Sequence, residues 1–151
     1  MNRENPTVLL VEDDPNDAHL VQRAFGRLNQ GVSVRRLEHG DQAIAYLSGN
    51  APFHDRAAHP VPAFMLLDIK LPGRSGFEVL EWIRRQQDPT RRLPVVMLTS
   101  STHTADVNRA YDMGANSYLA KPESSEGLKE MARLLVHYWL ALNRAPGVST
   151  G

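Results

Sequence analysis

The stretch Thr7-Val8-Leu9-Leu10-Val11-Glu12-Asp13-Asp14-Pro15 places a continuous apolar run directly before a group of acids. A short, apolar run that contains β-branched residues is typical of a strand buried on both faces of a sheet. Asp14 followed by Pro15 is a typical helix start, because aspartate caps free N–H groups and proline fits the first turn. The stretch therefore predicts a buried strand that leads into a helix, with carboxylates at the junction.

The same succession of a short apolar run and a longer amphipathic segment occurs five times along the chain. We expect strands at about residues 7–11, 32–37, 63–67, 93–98 and 117–119, and helices at about residues 15–30, 40–48, 76–86, 104–113 and 124–142. Parallel strands need crossover connections, which helices supply on both faces of a sheet. The sequence therefore predicts an α/β fold, with five parallel strands and five helices.

The composition excludes several classes of protein. The chain has 151 residues and no cysteine, which fits one domain and excludes disulfides, thiolate metal sites and thiol catalysis. Lys and Arg total 17, as do Asp and Glu, and this zero balance argues against a nucleic-acid partner. No apolar run is long enough to span a membrane, so we expect a cytoplasmic protein without a membrane partner.

Polar side chains follow four of the predicted strands. They are Glu12 and Asp13 after the first, Asp68 after the third, Thr99 after the fourth and Lys121 after the fifth. Because the carboxyl ends of parallel strands meet at one edge of a sheet, we expect these groups to lie together. Crowded carboxylates repel each other unless a cation joins them, and hard oxygen ligands suit Mg²⁺. With a hydroxyl and an ammonium group nearby, this set of residues favours phosphoryl chemistry.

Four motifs in this order resemble the response-regulator receiver domain of two-component signalling. They are VLLVEDD at 8–14, LLDIKLPGRSG at 66–76, PVVMLTS at 94–100 and GANSYLAKP at 114–122. One such motif alone would be a weak signal, whereas four in order, each at a predicted strand end, are specific. The resemblance covers residues 6–142, which we take as one receiver domain, and leaves 143–151 as a flexible C-terminal tail. It implies a flavodoxin-like fold with strand order 2-1-3-4-5.

The resemblance also implies the chemistry of the acidic residues. By it, Asp68 is the phosphoacceptor and Mg²⁺ is the cofactor. Glu12 and Asp13 hold the ion together with Asp68 and the backbone carbonyl of Lys70. Lys70 and Ser101 occupy two positions that flank the path of the attacking water in this family, so the resemblance does not fix the phosphoryl lifetime.

Further residues take their implied roles from the same resemblance. Thr99 and Lys121 contact the phosphoryl group, and Tyr118 is the aromatic switch that turns inward when Thr99 moves. The Lys121–Pro122 bond is similar to the cis peptide of the family. In this scheme the protein catalyses only its own phosphorylation and dephosphorylation, so it is not an enzyme that acts on a separate substrate.

The implied function is that of a single-domain response regulator in a phosphorelay. A sensor histidine kinase donates the phosphoryl group, which then switches an interaction surface of the regulator. The chain is most similar to regulators associated with bacterial and cyanobacterial phytochromes, by its EDDPND opening at 12–17, its long loop before the third strand and its extended last helix. Receivers of the chemotaxis and relay types stay open as alternatives.

Two rival functions use the same residue pattern differently. A receiver-like docking module would signal without phosphorylation, against which the complete set of Asp13, Asp68, Thr99 and Lys121 argues. A phosphatase with an aspartyl intermediate usually carries a second acid two residues after the nucleophile, where this chain has Lys70. A dinucleotide-binding role fails, because no Gly-x-Gly-x-x-Gly motif follows any predicted strand.

The last helix carries more apolar residues than one buried face needs. One stripe consists of Leu128, Met131, Leu135, Trp139 and Leu142, and outside it lie Val136, Tyr138, Leu140 and Ala141. A helix that is apolar nearly all round needs a second partner face. We therefore expect a homodimer through this helix, in preference to a cover for loops of the same chain.

A basic stretch surrounds the end of the third helix. It consists of Arg84, Arg85, Arg91 and Arg92. Such a run is usually a solvated face, and contact with a kinase or another acidic partner is the less favoured interpretation.

Overall fold

The computed structural model describes residues 5–147, which form a parallel sheet between two layers of helices. The strands are β1 (Thr7–Val11), β2 (Ser33–Leu37), β3 (Phe64–Leu67), β4 (Val95–Thr99) and β5 (Ser117–Ala120). Every pair is parallel, and the order across the sheet is β2-β1-β3-β4-β5. The predicted fold class and strand order are confirmed.

Five α-helices connect and flank the strands. They are α1 (Pro15–Gly26), α2 (Gly40–Ser48), α3 (Gly76–Arg84), α4 (Thr104–Asp112) and α5 (Ser125–Leu135). A 3₁₀ turn (Pro89–Arg92) precedes β4, and a π-helical segment (Val136–Leu142) continues α5. None of the helices in the described part of the chain is long and apolar enough to cross a membrane.

The core has two halves, because successive side chains of a strand point to opposite faces of the sheet. One half joins Leu9, Met65 and Met97 to side chains of α2, α3 and α4. The other joins Leu10, Leu66 and Leu98 to side chains of α1 and α5. β1, β3 and β4 are buried at every position, which explains their unbroken apolar sequences.

The first helix ends earlier than the apolar pattern predicts. We expected it to continue to about residue 30, whereas α1 ends at Gly26. Asn29 and Gly31 have φ angles of 53° and 67°, in the left-handed region that cannot continue an α-helix. Leu28 still packs against the core half that α1 and α5 cover, so its apolar character belongs to the turn.

The last helix is not one regular α-helix over 124–142. From Val136 onward its hydrogen bonds span five residues, as in the bond from the Asn143 N–H to the Tyr138 carbonyl (2.6 Å). The wider turn rotates the later side chains, so Leu142 is 63% exposed. Val136 is buried for another reason: its N–H still bonds to the Ala132 carbonyl as in an α-helix, which places it on the same face as buried Ala132. The stripe predicted from a period of 3.6 residues is therefore wrong at these two positions.

The expected C-terminal tail, residues 143–151, is described as far as Gly147. The carbonyl oxygen of Gly147 accepts hydrogen bonds from Nε and Nη2 of Arg92, at 3.1 and 3.0 Å. Residues 148–151 of that prediction lie outside the described residues.

Arg84 is not part of a solvated face, contrary to the expectation for the basic stretch. Its guanidinium donates to the carbonyl oxygens of Gly114 (2.8 Å), Arg91 (2.9 Å) and Leu93 (2.7 Å). It also donates to the side chain of Asn116 (2.9 Å). Arg84 thus joins the end of α3 to the segments that enter β4 and β5. Sequence periodicity cannot show this, because the acceptors are backbone groups of distant turns.

Replacing Arg84 with lysine should lower the free energy of unfolding by about 2 kcal/mol, because an ammonium cannot reproduce the planar fork of donors. Arg85→Lys is the matched control. The Arg85 side chain is 75% exposed and pairs with Glu81 at 3.3 Å, so its replacement should change stability by less than about 0.5 kcal/mol. Urea unfolding of both variants measures the difference, and equal losses would contradict the structural role of Arg84.

The start of α3 fits tightly against the chain segment that follows β3. The Gly76 N–H donates to the Ile69 carbonyl (2.8 Å), and the Ser75 side chain caps the helix through the Glu78 N–H (3.3 Å). A Cβ atom at Gly76 would press on the Asp68 carbonyl group, with the carbonyl carbon only 2.9 Å away. Only glycine allows the helix to begin this close to Asp68.

Gly76→Ala should lower the free energy of unfolding by about 3 kcal/mol, because the backbone on both sides must move apart. Gly26→Ala is the control, since a Cβ at Gly26 would meet no atom within 4 Å. At that helical position alanine should leave stability unchanged or raise it by up to about 1 kcal/mol. Thermal and urea unfolding give both values, and a neutral Gly76→Ala would show that the contact is loose.

Candidate metal and phosphoacceptor site

The predicted site residues meet at the carboxyl edge of the sheet. Glu12 and Asp68 come directly after β1 and β3, Thr99 ends β4, and Lys121 follows β5. Carboxylate oxygens of Glu12, Asp13 and Asp68 all lie within 4.8 Å of one another. The parallel topology therefore brings together side chains that lie far apart in the sequence, as the strand pattern predicted.

The Lys121 ammonium group lies among three carboxylates. Its Nζ atom is 2.5 Å from Oε1 of Glu12 and 2.9 Å from Oδ2 of Asp68. It is also 2.9 Å from Oδ2 of Asp17, a residue of α1 that the sequence analysis did not select. The only signal for Asp17 was an acid in the first turn of a helix, which the helix dipole favours in any case.

Burial and the contacts between these groups both shift their pKa values. Burial raises the pKa of Glu12 to about 7, and the nearby charge of Asp68 adds to this, while Lys121 and the Asp14 N–H lower it. Burial alone would lower the pKa of Lys121, but its hydrogen bonds to Glu12, Asp17 and Asp68 raise it above its ordinary value. Lys121 is therefore a permanent cation, and Glu12 is the acid whose charge is hardest to maintain.

Asp14 caps α1 and does not join the acidic cluster. Its Oδ1 atom accepts hydrogen bonds from the N–H groups of Asn16 (2.8 Å) and Asp17 (3.1 Å). Its own N–H donates to Oε2 of Glu12 at 3.2 Å. The cap fixes the turn between β1 and α1, so that Glu12 points inward and is 2% exposed while Asp13 stays accessible to solvent.

The donor set fits a hard divalent cation. The three clustered side chains offer only carboxylate oxygens, which are the ligands that Mg²⁺ prefers. The backbone N–H of Lys70 donates to Oδ1 of Asp68 (3.4 Å), so the Lys70 backbone lies beside the same carboxylate. The Lys70 side chain itself is exposed.

Thr99 is connected to the predicted aromatic switch through Ser101. The Ser101 N–H donates to Oγ1 of Thr99 (3.4 Å), and the Tyr118 hydroxyl donates to the Ser101 carbonyl (2.9 Å). The Ser101 hydroxyl donates to Oδ2 of Asp106 (2.6 Å), in the first turn of α4. The Thr99 hydroxyl and the Tyr118 hydroxyl are therefore both hydrogen-bonded to the same residue of the β4–α4 loop.

The expected cis bond before Pro122 is not present. The Lys121–Pro122 bond is trans, and the cis bond in residues 5–147 lies between Ala51 and Pro52. The bond before a proline prefers the trans form by only about 0.5–1 kcal/mol, so its surroundings decide the isomer and a dipeptide motif does not. Lys121 reaches Asp68 with the trans bond in place.

Comparison with known proteins agrees with this geometry. Residues 8–133 match the response regulator receiver domain family. The probable methanogenesis regulatory protein FilR2 of Methanothrix harundinacea is 41% identical over 148 residues, which cover 97% of this chain and 92% of that protein. The response regulator Rcp1 of Synechocystis is 33% identical over 141 residues, with 92% and 93% covered.

Solved structures of similar length superpose over nearly the whole chain. The phosphorylated cyanobacterial phytochrome response regulator RcpA gives a TM-score of 0.85 at 29% identity, covering 95% of this chain and 99% of that one. The Mn²⁺-bound form of Rcp1 gives 0.82 at 32% identity, covering 94% and 99%. The chain therefore belongs to the response regulator receiver domain family, whose members act in phosphorelay signalling and are phosphorylated on an aspartate.

Proposed function

We propose that this chain is a single-domain response regulator that accepts a phosphoryl group on Asp68. The observation that carries the proposal is the bond of 2.9 Å between Lys121 Nζ and Asp68 Oδ2, beside the carboxylates of Glu12 and Asp13. An aspartate that only ended a strand at the protein surface would not need a lysine and two further carboxylates around it. A nucleophile that must receive an anion needs a fixed cation next to it.

The donor is a phosphohistidine of a sensor histidine kinase. An Asp68 oxygen attacks the phosphorus atom, the P–N bond breaks, and its electron pair stays on the imidazole nitrogen. Lys121 holds the Asp68 carboxylate in place and faces the oxygens of the arriving group, while Thr99 offers its hydroxyl as a further donor. Transfer of this kind depends on position and charge, which these side chains supply.

Glu12, Asp13, Asp68 and the Lys70 backbone carbonyl would hold Mg²⁺. When bound, the ion neutralises charge on the carboxylates and on the transferred group. The donor set supports this, as does the Mn²⁺-bound form of Rcp1, which shows that a related receiver takes a divalent cation. Glu12 must be ionised to take part, so its raised pKa makes ion binding favour neutral and higher pH.

The added phosphoryl group changes the contacts of Thr99 and Tyr118. It brings a charge of about −1.5 to −2 to one point of the edge. Thr99 Oγ1 now accepts from the Ser101 N–H, and a move of Thr99 toward the phosphoryl group ends that bond. Tyr118 is bound to the same loop through the Ser101 carbonyl, so its ring is free to turn inward once the loop moves.

The kinase partner that we propose is of the phytochrome type, and its compartment is the cytoplasm. RcpA, which is named as a phytochrome response regulator, supports this partner through its similar length and fold. FilR2 is named as a methanogenesis regulator and is more identical in sequence, so a kinase with another input is the alternative. The docking module that works without phosphorylation remains the rival for the function itself.

Incubation with acetyl phosphate and Mg²⁺ should add one phosphoryl group to the wild-type protein, visible by intact-mass spectrometry. Asp68→Asn should abolish the adduct, because the amide is no longer a nucleophile. Asp112→Asn is the control, since Asp112 is an exposed residue at the end of α4 and should leave the adduct unchanged. No adduct on the wild type would favour the docking module, and an adduct on Asp68→Asn would move the acceptor elsewhere.

We also propose that two copies of the chain associate through α5 and its π-helical extension. Three large apolar side chains are exposed there: Leu134 (50%), Tyr138 (50%) and Leu142 (63%). Leu134 and Tyr138 line a groove of about 640 Å³, together with Leu119 of β5 and Met131 of α5. Burial of such a patch against its symmetric copy is favourable, whereas leaving it in water is not.

Tyr138→Glu should shift the protein toward the monomer, because a charge at the centre of an apolar contact must be desolvated. Leu20→Glu is the control: Leu20 is 42% exposed but lies on α1, outside this patch. Light scattering over a dilution series measures both variants and the wild type. A wild-type protein that stays monomeric at high micromolar concentration would remove the proposed dimer.

A further inference from the structure

Arg36 reaches from the edge strand β2 to the backbone of the acidic pair. Its Nε atom donates to the Glu12 carbonyl oxygen and its Nη2 atom to the Asp13 carbonyl oxygen, both at 3.1 Å. Its Nη1 atom lies 3.5 Å from Oε1 of Glu38. The side chain is 20% exposed, so most of it is packed against the protein.

The contact occurs where the strand pairing ends. The last registered pair of β1 and β2 is Val11 with Leu37, and the Glu12 N–H still donates to the Leu37 carbonyl (3.0 Å). Beyond this point the chain leaves the sheet to enter α1. Past this point the Arg36 guanidinium, and no longer the backbone N–H groups of the strands, connects β2 to Glu12 and Asp13.

A planar guanidinium presents its donors in a fixed fork, so it sets the distance and angle between two acceptors. Here the acceptors are the carbonyl groups of two consecutive residues whose carboxylates lie within 4.8 Å of the Asp68 carboxylate. The two carbonyls belong to successive peptide units, so holding both restricts the φ and ψ angles of Asp13, which lies between them. The directions in which the Glu12 and Asp13 side chains leave the backbone are thereby restricted as well.

We propose that Arg36 is a positioning residue for the divalent cation, acting through the backbone of Glu12 and Asp13. This inference rests on the proposed function, since it assumes that the acidic cluster holds a cation. Residues outside the ligand set that orient metal ligands typically change metal affinity by about 10–100-fold when replaced. Arg36 touches neither the phosphoacceptor nor Lys121 through any hydrogen bond in residues 5–147.

The positive charge of Arg36 should by itself weaken cation binding, whereas its hydrogen bonds to the backbone should strengthen it. A cation near the site repels Mg²⁺, so the charge alone weakens binding, whereas orientation of the ligands strengthens it. The two effects are separable by substitution. Arg36→Lys keeps the charge but loses the fork, and Arg36→Met loses both.

The test is Mn²⁺ binding, measured by electron paramagnetic resonance of the free ion, on wild type, Arg36→Lys, Arg36→Met and Arg35→Lys. Arg35→Lys is the matched control, because Arg35 is the preceding residue of the same strand and its side chain points to the other face. We expect Arg36→Lys to bind Mn²⁺ about tenfold more weakly, and Arg35→Lys to match the wild type.

Phosphorylation by acetyl phosphate gives a second readout. In Arg36→Lys the Mg²⁺ concentration for half-maximal rate should rise by the same factor, while the rate at saturating Mg²⁺ should stay within about twofold of wild type, because Asp68 and Lys121 are untouched. A general loss of structure would instead lower the melting temperature of Arg36→Lys far below that of Arg35→Lys. That outcome would overturn the inference, as it would make Arg36 a support of the fold.

The remaining outcomes separate the inference from the proposed function. Equal Mn²⁺ affinity of Arg36→Lys and wild type would overturn the role of Arg36 and leave the metal site intact. Tighter binding by Arg36→Met than by wild type would show that the charge outweighs the positioning, and would also overturn it. Absence of Mn²⁺ binding by the wild type would contradict the proposed metal site itself.

Discussion

The Lys121 ammonium group stabilises the carboxylates that the fold gathers at one edge of the sheet. Glu12 and Asp68 are almost fully buried, and Lys121 contacts both while also reaching Asp17. Two buried carboxylates without a cation would face the cost of desolvation and mutual repulsion together. Because one lysine faces several carboxylates, the site keeps a net negative charge. Such a site favours a divalent cation, which would in turn favour an anionic group.

The sequence was sufficient to predict the sheet, its order and the edge at which the polar residues meet. Those predictions hold because a buried parallel strand has an unmistakable apolar run, and because topology determines which strand ends are neighbours. Asp17, Arg36 and Arg84 were missed or misjudged for a common reason. Each acts through a side chain that contacts a distant part of the chain. For the two arginines the acceptors are mainly backbone carbonyls, which every residue carries, so the sequence does not indicate which residues accept.

The last helix shows a different limit of sequence analysis. Its apolar pattern was assigned with a constant period of 3.6 residues, which is correct as far as Leu135. The change to π-helical bonding after Leu135 alters the angle between successive side chains, so Leu142 turns outward. The surplus of apolar residues was predicted correctly, but the surface on which it is exposed follows from a backbone geometry that local composition does not encode.

The two sides of the site at Asp68 differ in how tightly they are packed. Because α3 begins against the backbone of Asp68, with no room even for a Cβ at Gly76, this side of the site has little space to rearrange. On the other flank, the β4–α4 loop is held by single hydrogen bonds at Ser101, each replaceable at small cost. In the proposed function, a change at Asp68 would therefore be accommodated more readily in the β4–α4 loop than at the start of α3.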